Sequence, residues 1–428
     1  MGTTGSTDNH SREPVPASES VSGFAIATVI IGVGITLPAF VVGAQLVAAL
    51  GLRKAAIAML SGGAFTALLA FLTMRVGAKT RLSTYSIIRC CFGDWGSRFI
   101  NLLLALTLLG WYGVTATLFG DALQNTIEGV YGVTLSPLLL TALGGALMIL
   151  TTLFGFRAIE KLSRVAVPLL LAVLVFSVWR VFDGQTLATL MAIPGTSTPA
   201  LQSIPAAVSV LVGSFIVGVT LTPDLARFLR TPSDAIPAAA LSYGLGYPAI
   251  LLLAGLPVLL NTDGDLIGAM QDIGLGVAAL LVMVFATWTT NVNNLYSASL
   301  GVARVFPGVP DWLVTTLCGV LGTAMALAGI MNVFIGFLIL LGVFVPPIAG
   351  IYLVAHYRRS AEWTDAAEPA RVVWPAVLAW GLASGWGLLG YVNADFVLSG
   401  IPVVDTLLIA MASFATFDRL ASESVVVR

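Results

Sequence analysis

Long apolar blocks alternate with short polar or Gly/Pro-rich links from Val21 almost to the C-terminus. A helix needs roughly 20 apolar residues to cross a bilayer. Blocks of that kind begin near Val21, Lys54, Ser97, Ser136, Leu162 and Pro205, and again near Ala235, Gly274, Trp312, Met331, Val372 and Leu398. Where every face is apolar, period does not separate helix from strand, but length does. Strands of a membrane barrel run about ten residues with strict alternation. The pattern therefore predicts an all-α polytopic membrane protein with twelve transmembrane helices. Residues 1–20 are polar and lack an apolar core. They read as a disordered tail, not a signal peptide, so the first helix serves as its own insertion signal.

Composition agrees with the pattern and removes other classes. Of 428 residues, 58% are hydrophobic and 10% charged, against about 25% charged in soluble domains. No polar exterior remains for a soluble enzyme. A net charge of −1 is too neutral to hold a phosphate backbone, so nucleic acid is not a partner. Cys90, Cys91 and Cys318 form no even disulfide framework. The basic residues orient the chain: with the N-terminus inside, only Arg53, Lys54 and Arg180 of the 20 basic residues fall outside. Such asymmetry marks the cytoplasmic side, which predicts a cell-membrane protein with both termini cytoplasmic. The stretch from Gly77 to Gly96 is too polar to span and reads as a short re-entrant or amphipathic helix at the cytoplasmic interface. Thr262-Asp263-Gly264-Asp265 reads as an acidic turn on the outer side.

Two of the blocks carry helix breakers. Span one contains Gly32-Val33-Gly34-Ile35-Thr36-Leu37-Pro38, and span six contains Gly218-Val219-Thr220-Leu221-Thr222-Pro223. Matched interruptions in the two halves of a transporter point to its binding site. The odd offset of five spans makes the two copies antiparallel in the bilayer, as an inverted repeat requires. Span six also holds Gly213-Ser214-Phe215, and span eight holds Trp288-Thr289-Thr290-Asn291-Val292-Asn293-Asn294. Polar residues at mid-bilayer depth are costly unless they line a cavity or coordinate something.

Spans one, three, six and eight have no Asp, Glu, His, Lys or Arg near their centres. A proton-coupled carrier normally keeps a titratable group in its pathway. Hydroxyls and exposed carbonyls suit a hard cation such as Na⁺ instead. No cofactor is expected beyond Na⁺ as coupling ion. Trp111 lies within span three between Gly110 and Gly113. Packing alone explains most membrane aromatics, yet a Trp face opposite Phe215 would sandwich a flat ring, with nearby amides reading its edge.

These motifs resemble the nucleobase-cation-symport-1 family, most closely its bacterial cytosine-permease branch. The resemblance rests on Pro14-Val15-Pro16, Gly77-Ala78-Lys79-Thr80, Gly110-Trp111-Tyr112-Gly113-Val114 and Gly213-Ser214-Phe215-Ile216. It continues through Thr220-Leu221-Thr222 with Asp224 and Arg227-Phe228, Trp288-Thr289-Thr290-Asn291, and Pro346-Pro347-Ile348-Ala349-Gly350. It implies a leucine-transporter-like fold: two inverted five-helix repeats plus two C-terminal helices. The implied divisions are a tail over 1–20, a ten-helix core over 21–360, two accessory helices over 361–418 and a cytoplasmic tail over 419–428. It also implies Na⁺ ligands at the carbonyls of Gly32, Ile35 and Ala286 and the hydroxyls of Thr289 and Thr290. Substrate contacts are implied at Trp111, Phe215 and Asn291, with Ser214 beside the span-six break. Two positions depart from the cytosine-permease pattern: Leu108 stands where a Gln is expected and Val217 where a Ser is expected. Thr115, one turn beyond Trp111, offers a replacement hydroxyl.

The resulting expectation is a secondary active importer, not an enzyme. It would move a nucleobase or related neutral nitrogen heterocycle (a cytosine-like pyrimidine, purine, hydantoin, allantoin or hydroxymethylpyrimidine) with Na⁺ by alternating access. Its partners would be that substrate, Na⁺ and the lipid bilayer, with no obligate protein partner evident. The rival readings are a sodium-independent or proton-coupled permease of the same fold and a substrate sensor that does not transport.

Overall fold

The computed structural model describes residues 20–153, 156–196, 201, 203–260, 277–306, 308–358, 363 and 370–426. The tail through residue 19 and the acidic turn Thr262–Asp265 lie outside them. The described residues form α1 (Gly23–Gly34), α2 (Leu37–Thr80), α3 (Thr84–Tyr131), α4 (Pro137–Leu153), α5 (Phe156–Phe182), α6 (Leu187–Ala192), α7 (Ile204–Thr220) and α8 (Pro223–Ala226). Then follow α9 (Ala235–Ala239), a π-helical turn (Ala240–Gly246), α10 (Tyr247–Gly255), α11 (Val277–Val305) and α12 (Asp311–Leu327). The chain ends in α13 (Phe334–Phe344), α14 (Pro346–Arg358), α15 (Trp374–Val392) and α16 (Pro402–Val426). α16 runs past Arg419, where a tail was expected, and Ser422 donates back to the Asp418 carbonyl within it.

Among the described residues, five helical stretches are long and apolar enough to cross a membrane: Leu37–Thr80, Thr84–Tyr131, Pro232–Leu260, Ile330–Arg358 and Trp374–Val392. Others, α1 and α7 among them, are apolar but shorter, because broken spans divide their length between two pieces. α2 and α3 bend at Gly51 (φ 71°) and Gly93 (φ 78°), left-handed conformations that glycine adopts without strain. On α4, Leu139, Leu143, Leu147 and Leu150 are exposed while Leu140, Gly144, Met148 and Thr152 are buried. Leucine outside and small residues inside is the arrangement of a helix with one face on lipid.

The segment Gly77 to Gly96, expected as a re-entrant or amphipathic helix, contains a helical stretch held against other elements. Residues 84–92 are helical, but Ile87, Ile88 and Phe92 are fully buried. The Thr84 amide donates to the Asp224 carboxylate at 2.8 Å, and the Phe92 carbonyl accepts from Val373 at 3.0 Å. These two bonds tie the stretch to the end of span six and the start of α15.

Two groups of helices follow from the packing. α2 runs along α7 and α10, while α3 runs along α11, α4 and α12. The start of α1 is fastened to the first group: the Val21 amide donates to Phe228 (2.7 Å), and Arg230 donates back to Val21 (3.1 Å). Asp234 accepts from the Gly23 amide at 3.4 Å. The Thr231 amide and hydroxyl donate to the same carboxylate at 3.0 and 2.8 Å. α15 and α16 pack on α13 and α14.

Candidate functional site

The break in span one falls at Ile35–Thr36. Ile35 leaves helical dihedrals (φ −80°, ψ 82°), Thr36 is extended (φ −139°, ψ 153°), and Pro38 restarts the helix in the first turn of α2. The Ile35 amide turns back to Ile31 (3.2 Å) and, at greater length, to Gly32 (3.4 Å). Among the described residues no backbone amide donates to the Ile35 carbonyl. The carbonyl end of α1, the negative end of its dipole, therefore faces open space.

The break in span six, at Leu221–Thr222, is closed by protein groups. The Val219 carbonyl lies 2.9 Å from the Thr222 hydroxyl and 3.1 Å from that of Thr73. The Thr220 carbonyl accepts from Tyr352 at 3.0 Å. The Leu221 carbonyl accepts from the Asp224 amide (3.0 Å) and the Thr84 hydroxyl (3.4 Å). The two interruptions look alike in sequence, yet at the second the Val219, Thr220 and Leu221 carbonyls are each engaged, whereas the Ile35 carbonyl at the first is not.

Between them lies a cavity of about 830 Å³. Its wall includes Gly32 and Ile35 from the first break, Trp111 and Thr115 from α3, Ser214 and Phe215 from α7, and Ala286, Thr289 and Thr290 from α11. Residues scattered across the sequence as candidates thus share one space. Thr289 and Thr290 both donate to the Ala286 carbonyl at 2.9 Å, which leaves their oxygen lone pairs for another partner. The Thr115 hydroxyl is fully buried and has no hydrogen-bond partner among the described residues. Ser214 is satisfied by its own helix, donating to Val210 at 2.8 Å. Among the described residues, the lining holds no Asp, Glu, His, Lys or Arg. Leu108 and Val217 line it too, so both departures from the cytosine-permease pattern fall on the wall itself.

Asn291 is the exception. It is fully buried away from the cavity, and its amide nitrogen lies 3.0 Å from the Met148 sulfur. The reason is rotational: at about 100° per residue, Thr289 and Thr290 share a face with positions 293, 294 and 297, while 291 falls on another. Asn293, Asn294 and Ser297 do line the cavity. The helical period, applied forward from the threonine pair, finds them. Tyr243 and Tyr247 also line it, and no comparable periodic signal points to them. They sit at the π-helical turn, ahead of Pro248, which has no N–H to give the ordinary helical bond.

The aromatic walls are supported from behind. Trp111 packs edge-on against Phe334 (5.9 Å) and Phe337 (5.7 Å). Phe215 stacks on Tyr247 at 4.1 Å with a tilt of 32°. Trp111 and Phe215 each lean on other rings and not on each other.

An all-α, multi-pass membrane fold with a cavity at a broken helix is the arrangement of a secondary active transporter. The family of permeases for cytosine/purines, uracil, thiamine and allantoin matches residues 14–369, and the chain belongs to this family, the nucleobase-cation-symport-1 group. It is 31% identical over 354 residues to the cytosine permease of Escherichia coli strain K12, covering 82% of this chain and 81% of that one. It is 27% identical over 368 residues to the hydantoin permease of Microbacterium maritypicum, covering 80% and 74%. Among solved structures, it shares its fold with the nucleobase-cation-symport-1 transporter Mhp1. The inward-facing form of Mhp1 gives a TM-score of 0.84 at 20% identity, covering 99% and 96% of the two chains. The closed form with bromovinylhydantoin bound gives 0.79 at 21% identity, covering 98% and 97%.

Proposed function

We propose that this protein imports a flat, neutral nitrogen heterocycle together with Na⁺ by alternating access. The observation that carries the reading is the free Ile35 carbonyl at the first break, which shares a cavity with the unengaged lone pairs of Thr289 and Thr290. Oxygen dipoles with no carboxylate suit a hard monovalent cation. In this reading Gly32, Ile35 and Ala286 contribute carbonyls and the two threonines contribute hydroxyls. The heterocycle stacks between Trp111 and Phe215. Thr115 offers a hydroxyl beside Ser214, and Asn293 and Asn294 take the edge-reading role first given to Asn291. Cytosine and hydantoin, named for two relatives, are flat rings with adjacent donors and acceptors. The apolar Leu108 and Val217 leave fewer polar partners here, which favours a substrate with fewer edge groups than cytosine.

We further propose twelve spans, with ten over 21–360 as two inverted five-helix repeats and two accessory spans over 361–418. Both termini then lie in the cytoplasm of a cell-membrane protein. The cavity extends along Val29 and Val33 of α1 and Ser297 of α11. On this topology it opens inward.

The test is uptake of labelled cytosine, hydantoin and allantoin into proteoliposomes with an inward Na⁺ gradient or choline in its place. The expected result is Na⁺-driven accumulation of at least one ring. Thr289→Ala is expected to raise the half-saturating Na⁺ concentration about tenfold, the equivalent of about 1.4 kcal/mol. Uptake equally fast without Na⁺ overturns the coupling.

A further inference from the structure

One side chain joins the open break to the aromatic wall. Tyr247 begins α10 directly after the π-helical turn, a widened turn that re-aims the residues following it. Its hydroxyl donates to the Ile30 carbonyl of α1 at 2.9 Å in a buried position. Its ring lies against Gly34, where a Cβ would come within 2.0 Å of the ring's Cε1, so the contact requires glycine. The same ring stacks on Phe215 at 4.1 Å and meets Tyr243 edge-on at 5.0 Å. Tyr247 thus touches the end of the first half-helix, span six and span seven at once, on the cavity wall.

We propose that Tyr247 is a positioning residue that couples cation-dependent ordering of the first half-helix to the aromatic wall on which the substrate stacks. The inference rests on the Na⁺ reading above. A cation held by the Gly32 and Ile35 carbonyls draws in the last turn of α1. That turn carries Gly34, and the Ile30 carbonyl lies one turn earlier. Any shift there moves the Tyr247 ring and with it Phe215. Linkage makes the effect reciprocal: a ring pressed on Phe215 holds Tyr247, which holds the half-helix end in place for the cation. Each contact is short, buried and direct, so no longer pathway is invoked.

The experiment uses the full chain in detergent with NaCl as the probe, against choline chloride at equal ionic strength. Hydrogen exchange is followed in the peptides covering 28–37 and 210–219. In the wild type NaCl is expected to slow exchange in both. Tyr247→Phe keeps the ring and removes only the bond to Ile30. It is expected to raise the NaCl concentration for half-maximal protection of 28–37 about two- to tenfold, the range set by one buried neutral hydrogen bond. It is also expected to abolish the NaCl effect on 210–219. Each ratio is read within one variant, so a general loss of stability does not imitate it. Gly34→Ala pushes the ring away from the other side of the contact and is expected to give the same uncoupling, which covers the case of a Tyr247 variant that fails to fold. Wild-type NaCl protection of 210–219 in either folded variant overturns the coupling. A wild-type chain indifferent to NaCl overturns the Na⁺ reading itself, and the coupling with it.

Discussion

Thr115 shows what a single hydroxyl contributes to such a cavity. Its side chain is fully buried in the wall, one turn beyond Trp111, and donates to nothing among the described residues. Most buried threonines here satisfy themselves on their own helix, as Thr107 and Thr126 do at 2.7 and 2.8 Å. An unpaired buried hydroxyl costs about 1–3 kcal/mol, a cost that a polar ligand edge removes. Thr115→Val conserves shape and deletes the hydroxyl. It is expected to leave the thermal midpoint of the ligand-free protein unchanged or raised, and to weaken binding of the transported ring about tenfold or more. Equilibrium binding of the labelled ring checks this, and undiminished affinity would remove Thr115 from the site. Thr115 was legible in the sequence because it lies one turn from Trp111. Asn291 was implied by the family motif, and its place on the helix, about 200° round from Thr289 at about 100° per residue, keeps it off the cavity lining. Tyr243 and Tyr247 were not legible at all, since their approach to the cavity depends on a widened turn in a different span.

At the scale of elements, the two breaks carry the comparison. The GVGITLP and GVTLTP strings marked both interruptions, and both occur. Nothing local distinguishes them. The difference comes from Thr73 on α2, Thr84 on α3 and Tyr352 on α14, which reach the carbonyls freed in span six. Sequence separations of 132 to 146 residues place those partners beyond any local pattern. Long-range partners likewise hold residues 84–92, through the Asp224 carboxylate and the Val373 amide. Tyr352→Phe deletes the side-chain hydrogen bond to the Thr220 carbonyl and leaves that buried acceptor short of a partner. It is expected to lower stability by about 1–3 kcal/mol while the NaCl-induced rise in thermal midpoint persists. A variant that loses the NaCl response with little change in basal midpoint would instead make the second break part of the ion site.

At the scale of the whole molecule, the cavity has a direction. Val29 and Val33 on the N-terminal half of span one are 49% and 62% exposed, though apolar, and both line the cavity. Farther along span one, beyond the break, Phe40 and Val42 are fully buried. The open side is therefore the one on which α1 begins. On the topology proposed above, in which insertion retains positive loops in the cytoplasm, that side is expected to be cytoplasmic. Val21, Asp234 and Tyr247 tie α1 to the packed group of α2, α7 and α10, so this group is expected to move as a unit against α3, α4, α11 and α12. Closing the inner side then requires this unit to carry Val33 toward Ser297. A Val33→Cys chain, with Cys90→Ser, Cys91→Ser and Cys318→Ser to remove the native thiols, reports the movement. A membrane-impermeant maleimide is expected to label it in inside-out vesicles and not in right-side-out ones. Adding NaCl with a transported ring is expected to slow the labelling several-fold, because ligands that favour the closed state reduce the open population in proportion to their differential affinity. Labelling from the outside would reverse the topology drawn from the charges. Labelling from the inside at a rate indifferent to both ligands would leave the orientation standing and remove the rocking unit.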